Sequence, residues 1–185
     1  MIENRTVALD NIEAYGQAVE YNALNSINFV FNNDGEENAK IVFKNIFKTA
    51  SKQIQIVARN LNNDLTNSDE YISNLSCFLE KQDTKLDVLL EEAFNSTDNN
   101  KIHNLLKRFS NKIVVKKIPT GRFFKNSETG NHLHFCVADD KMYRIEYDIE
   151  NRKAECNFND SRLSTSLREI FYHVFKGNDV ELCAL

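Results

Sequence analysis

The sequence predicts an α/β protein, a single mixed parallel and antiparallel sheet flanked by helices, on three observations. Short apolar strands at 53–58, 86–90 and 112–118 are separated by segments of helical periodicity, the pattern of parallel strands joined by crossover helices. Alternating runs at 132–138, 142–147 and 154–158 then follow one another on short connections, which suits antiparallel pairing. A closing stripe of Leu163, Leu167, Ile170, Phe171, Val174 and Phe175 marks an amphipathic helix that must lie on that sheet.

The elements follow in order. Residues 1–25 are weakly patterned; Ala8, Ile12, Ala14, Tyr15 and Val19 suit a short helix, and the stretch reads as an appendage to one domain spanning 26–185. Residues 26–31 alternate as a strand, Asn32 to Gly35 form a turn, and Asn33 or Asp34 can cap the next helix. That helix, 36–52, carries Ala39, Phe43, Phe47 and Ala50 as one stripe with Val42 and Ile46 beside it. After the strand at 53–58, the polar stretch 60–68 reads as a loop at the strand's C-terminal end. Tyr71, Ile72, Leu75, Phe78 and Leu79 mark a helix, and Ile102, Leu105, Leu106 and Phe109 another. Residues 86–90 are almost wholly apolar, as in a sheet covered on both faces. Pro119 stops the strand at 112–118, and a loop at 120–131 is bounded by Gly121 and Gly130. Asp160 or Ser161 caps the last helix, and Gly177 ends it.

Composition narrows the class. A chain of 185 residues with 42% hydrophobic residues can bury a full core, and its net charge of −4 disfavours a generic nucleic-acid coat protein. Charge is uneven, however. From Lys101 to Lys125 the chain carries eight Lys and Arg and no Asp or Glu, a local basic stretch that can attract phosphate or form a solvated helix face. The cysteines at 77, 136, 156 and 183 have no zinc-like spacing and read as reduced thiols. No signal-peptide pattern or membrane-length apolar run is present, so a soluble cytoplasmic protein without membrane association is expected.

The segment from His132 to Asp139 concentrates the chemistry. In a strand, side chains two residues apart share a face, so His132, His134, Cys136 and Ala138 point one way and Leu133, Phe135 and Val137 the other. Two imidazoles then face a cleft while the apolar face is buried. Three such side chains span about 13 Å, too wide for one metal ion, so no metal is expected. His103 and His173 fall on predicted helices and read as ordinary. Arg144 and Glu146 share a strand face and suit a structural ion pair.

His132-Leu-His134-Phe-Cys-Val-Ala-Asp139, followed by a hairpin through Asp140 and Lys141, resembles the His-x-Lys-x4-Asp motif of the phospholipase D-like superfamily. The stretch 50–58 resembles that family's first helix-strand unit and 160–171 its closing helix, so the resemblance covers about residues 28–176. Two positions depart from it: His134 stands where the family has lysine, and Glu146-Tyr147 where it has Gly-Ser. A histidine is cationic only in part near neutral pH, although it still donates a hydrogen bond to phosphate.

The resemblance implies His132 as nucleophile, Asp139 as the group orienting a histidine, and His134 in place of the phosphate-gripping lysine. Lys141, Arg144, Lys116 and Arg122 are the candidate phosphate-binding residues. It implies no metal and no cofactor. With one motif copy, activity requires a homodimer in which two motifs share a cleft. The departures imply a degenerate module with little or no catalysis. Such a module binds a phosphate-bearing ligand or partner protein, in the setting of a bacterial antiviral defence or regulatory system. The alternative is a metal-independent phosphodiesterase or nuclease acting on nucleic acid through a phosphohistidine on His132.

Overall fold

A computed structural model describes residues 12–93 and 100–183. Eight strands form one sheet in the order β1-β7-β6-β5-β2-β3-β4-β8. The strands are β1 (Phe31–Asn33), β2 (Gln53–Ala58), β3 (Lys85–Leu90), β4 (Ile113–Lys117), β5 (His134–Ala138), β6 (Met142–Asp148), β7 (Lys153–Asn157) and β8 (Glu181–Leu182). The helices are α1 (Ile12–Leu24), α2 (Gly35–Thr49), α3 (Asp64–Asn67), α4 (Asp69–Glu80), α5 (Lys101–Arg108) and α6 (Ser161–Phe175).

The mixed sheet divides as its connections require. β2, β3 and β4, joined through helices, run parallel, whereas β5, β6 and β7, joined by turns, run antiparallel. β5 is the seam, pairing antiparallel with β2 on one side and β6 on the other. α1, α2, α4 and α5 cover one face, burying Phe43, Phe47, Tyr71 and Phe78 against Ile54, Ile56, Leu86 and Val88. α6 covers the other, with Phe171 and Phe175 against Val57, Leu89, Phe135, Val137 and Tyr143 and with Phe123 and Phe124 packed beside them. Both faces of β5 are therefore buried, Cys136 and Ala138 in the first layer and Phe135 and Val137 in the second.

Several boundaries differ from the sequence reading. The expected strand at 26–31 is confined to Phe31–Asn33, and it pairs antiparallel with β7 rather than joining the parallel set. Phe29 and Val30 stay exposed, and the buried residue is Asn33, whose amide donates to the Arg152 carbonyl. The polar stretch 60–68 contains α3, because Asn63 and Thr66 form a reciprocal capping box. The short strand β8 extends the sheet beyond β4 and had no sequence signal. α1 buries Tyr15, Val19 and Ala23 in the main core, while Ala8 lies outside the described residues. Asp160 caps α6 through the Leu163 amide as expected. All four cysteines are free.

Candidate active site

The site lies where the C-terminal ends of β2 and β3 meet the start of β5 and the end of β6. β5 begins at His134, so His132 sits just outside the strand, in an isolated bridge with Lys125. Its ring stands edge-on to Phe123, centroids 5.2 Å apart. Both oxygens of Glu91, the residue after β3, approach His132 Nδ1, at 3.0 and 3.1 Å. A carboxylate there places the ring proton on Nδ1 and leaves Nε2 with its lone pair. The His132 side chain is 35% exposed, whereas that of Glu91 is 5%.

His134 is enclosed. Its Nε2 lies 3.5 Å from Glu91 Oε1 and its Nδ1 3.7 Å from Glu146 Oε2. Register explains the placement, since β5 and β6 pair His134 directly with Glu146 and Cys136 with Arg144. Arg144 donates from Nη2 to Glu146 Oε1 at 3.0 Å and from Nε to Asn33 Oδ1 at 2.7 Å, and its guanidinium lies over the Phe43 ring. Arg152 Nη1 reaches within 3.8 Å of Glu146. A continuous polar chain thus runs from Asn33 through Arg144, Glu146, His134 and Glu91 to His132. Its acidic members, Glu91 and Glu146, were not expected as site residues; a carboxylate at the C-terminal end of a parallel strand was the signal for Glu91.

Burial alone would lower the His134 pKa, but Glu146 and Glu91 outweigh it and hold it above its ordinary 6.5. Burial pushes Glu91 upward, and His134 and His132 overcome this and bring it below the usual 4.5. Glu146 is lowered in the same way, against its own burial, by His134 and Arg144. A raised imidazole stabilises the fold below 6.5 and loses that effect as pH rises through its folded value. A lowered carboxylate stabilises above 4.5 and loses the effect as pH falls through its folded value. The cluster therefore stabilises most between 4.5 and 6.5. Thermal melts across pH should show stability declining on the alkaline side of this window, and His134→Gln should flatten that decline. An unchanged alkaline limb in the variant would refute the assignment.

Asp139 is placed elsewhere. It lies beyond the other end of β5, where its carboxylate accepts from the Ser51, Lys52 and Gln53 amides and the Ser51 hydroxyl at 2.5–3.0 Å. Burial raises its pKa, and these backbone donors overcome it and lower it below the usual range. Asp139 and Asp140 both have positive φ, 50° and 60°, which suits the tight β5–β6 turn. The carboxylate thus fastens the hairpin to the start of β2 instead of orienting a histidine. Asp139→Asn, which tolerates the same φ, should cost about 2 kcal/mol in chemical denaturation, allowing for partial solvent screening. The folded variant should retain its chemistry; a stable but inactive variant would return Asp139 to the site.

The expected phosphate-binding cations separate likewise. Arg144 belongs to the site. Lys116 donates to the Phe175 carbonyl at the end of α6, Lys141 to Ser26, and Arg122 pairs with Asp179. Within the 101–125 stretch Lys101 pairs with Asp69 and Arg108 with Glu80, while Lys112 caps α4 through the Leu79 and Lys81 carbonyls. Burial pushes the Cys136 thiol up to about 12, which excludes a thiolate nucleophile near neutral pH. Among the described residues, no group of three or more His, Cys, Asp and Glu is arranged to hold a metal ion. No helix among them is long and apolar enough to cross a membrane.

The architecture is shared with solved structures. Nuc, a phospholipase D family member from Salmonella typhimurium, matches with a TM-score of 0.56 at 12% identity, over 85% of this chain and 100% of its own. TrmBL2, an archaeal chromatin protein with a novel mode of DNA binding, matches with a TM-score of 0.56 at 14% identity, over 91% of this chain and 61% of its own. A phosphatidylserine synthase from Haemophilus influenzae matches with a TM-score of 0.52 at 10% identity, over 83% and 39% respectively. At these identities the likeness is one of fold. No protein-family model matches the chain, and no curated protein matches it in sequence.

Proposed function

We propose that the chain is a metal-independent phosphodiesterase or nuclease that acts as a homodimer with His132 as nucleophile. The observation that carries this reading is the grip of Glu91 on His132 Nδ1, which leaves the other ring nitrogen free on a partly exposed side chain. His132 Nε2 attacks phosphorus, a P–N bond forms and a P–O bond breaks. The leaving oxygen takes a proton from the second His132, supplied across a two-fold axis. The second His132, now neutral, then takes a proton from a water whose oxygen bonds to phosphorus, the P–N bond breaks, and the phosphate monoester leaves. The phospholipase D-like fold supports the assignment, and Glu91 takes the orienting role expected of Asp139.

One observation favours the degenerate, binding-only reading. His134 stands at the lysine position, yet it faces two carboxylates, so little of its charge is left for a substrate phosphate. Incubation with single-stranded DNA, duplex DNA and RNA under chelator separates the two. Cleavage that persists under chelator, from a protein sedimenting as a dimer, is the expected result. No cleavage from a monomeric protein would sink the proposal.

A further inference from the structure

A cavity of about 280 Å³ opens beside this site but is not part of the His132 surface. It lies between the β2–α3 connection, α2, α4 and the end of β6, and neither His132 nor Glu91 lines it. Its floor is apolar, with Ile56, Leu61 and Leu65. Three arginines line it, Arg59, Arg144 and Arg152, against two glutamates, Glu146 and Glu150, and Glu146 is already engaged by Arg144.

His134 does not supply a donor here, because its Nε2 is enclosed and lies 3.5 Å from Glu91 Oε1, outside the cavity lining. One polar side chain on the wall has no partner of its own. Tyr71, 4% exposed, packs its ring on Phe43 and Phe47 but its hydroxyl makes no hydrogen bond among the described residues. Arg152 is one-quarter exposed at the cavity rim, with only a 3.8 Å contact to Glu146. The groups on the wall with spare hydrogen-bonding capacity are thus donors, a hydroxyl and a guanidinium, while the floor is apolar.

From this we infer that the cavity binds a nucleoside monophosphate, its phosphate on Tyr71 and Arg152 and its base over the apolar floor. The phosphate supplies acceptors for both donors and the charge that the arginines favour. The base supplies a flat apolar body that displaces water from Ile56 and Leu65. This site stands apart from the phosphodiesterase proposal, because His132 does not line it.

Calorimetric titration of the full chain with the four nucleoside monophosphates, inorganic phosphate and unphosphorylated nucleosides tests the inference. At least one monophosphate should bind saturably, roughly tenfold or more tighter than either phosphate or its parent nucleoside. Tyr71→Phe and Arg152→Ala should each weaken it by roughly tenfold. Tyr71→Phe removes only an unpartnered hydroxyl, so its melting temperature should not fall. His132→Ala should bind as tightly as the wild type. Absence of saturable binding, indifference to both cavity variants, or equal affinity for inorganic phosphate would overturn the site. Loss of binding in His132→Ala would place the ligand in the reaction cleft and overturn it as well.

Discussion

His132→Ala should abolish chelator-resistant phosphodiester cleavage, lowering the rate by roughly 10³-fold or more, while leaving the melting temperature nearly unchanged. The ring is partly exposed and contributes little to the core, so the substitution removes chemistry without removing structure. Glu91→Gln should lower cleavage by roughly 10²-fold or more, because an amide does not hold the proton on Nδ1 as a carboxylate does. The two-fold requirement adds a second readout. In mixed dimers the proposed cleft needs two intact rings, so replacing wild type by His132→Ala at constant total protein, under conditions of subunit exchange, should reduce activity as the square of the wild-type fraction. A linear decline would show that one chain suffices, and full activity in His132→Ala would reject His132 as the nucleophile.

The largest expected loss of stability comes from Arg144→Met. Arg144 is 3% exposed and holds Asn33, Glu146 and the Phe43 ring at once. Removing it leaves Glu146 buried, with only His134 at 3.7 Å and Arg152 at 3.8 Å as counter-charges. Breaking one side of such a buried pair costs roughly 3–5 kcal/mol. The double variant Arg144→Met with Glu146→Leu removes both charges and should regain most of that loss. Chemical denaturation of the two single variants and the double variant measures the coupling. A single-variant loss below about 1 kcal/mol would mean that Glu146 is neutralised without Arg144.

Periodicity made the central part of this fold legible. The strands β2, β3 and β4 and the helices α2, α4 and α6 each present a clear apolar pattern, and their connection lengths imply the parallel and antiparallel halves. β1 was misplaced because alternation at 26–31 was taken for burial, when the buried position is a polar one, Asn33, recruited by Arg144 from 111 residues away. The same blindness to distant partners explains the site. The two histidines and Arg144 are readable from strand spacing, and the Arg144–Glu146 pair from a shared face. Glu91 follows an apolar strand with no motif around it, and only the pairing of β2 with both β3 and β5 brings it to His132. The resemblance gave Asp139 a histidine to orient, although a residue five positions after His134 lies well over 10 Å along an extended chain.

The position of β5 as the seam has a consequence for how the protein matures. During synthesis β2, β3 and β4 can pair once β4 has emerged, before the ribosome delivers β5. Until then β2 carries an open edge of Ile54, Gln55, Ile56 and Val57, which are the residues that later pair with β5. An unpaired apolar edge invites pairing with another chain, so the incomplete protein is most prone to aggregate in this interval. Closure requires contact between strands separated by the whole β3–α5–β4 segment, which makes it a slow step. Because Glu91 arrives with the early half and both histidines with the late one, the Glu91–His132 contact and protection from aggregation are acquired in the same folding event.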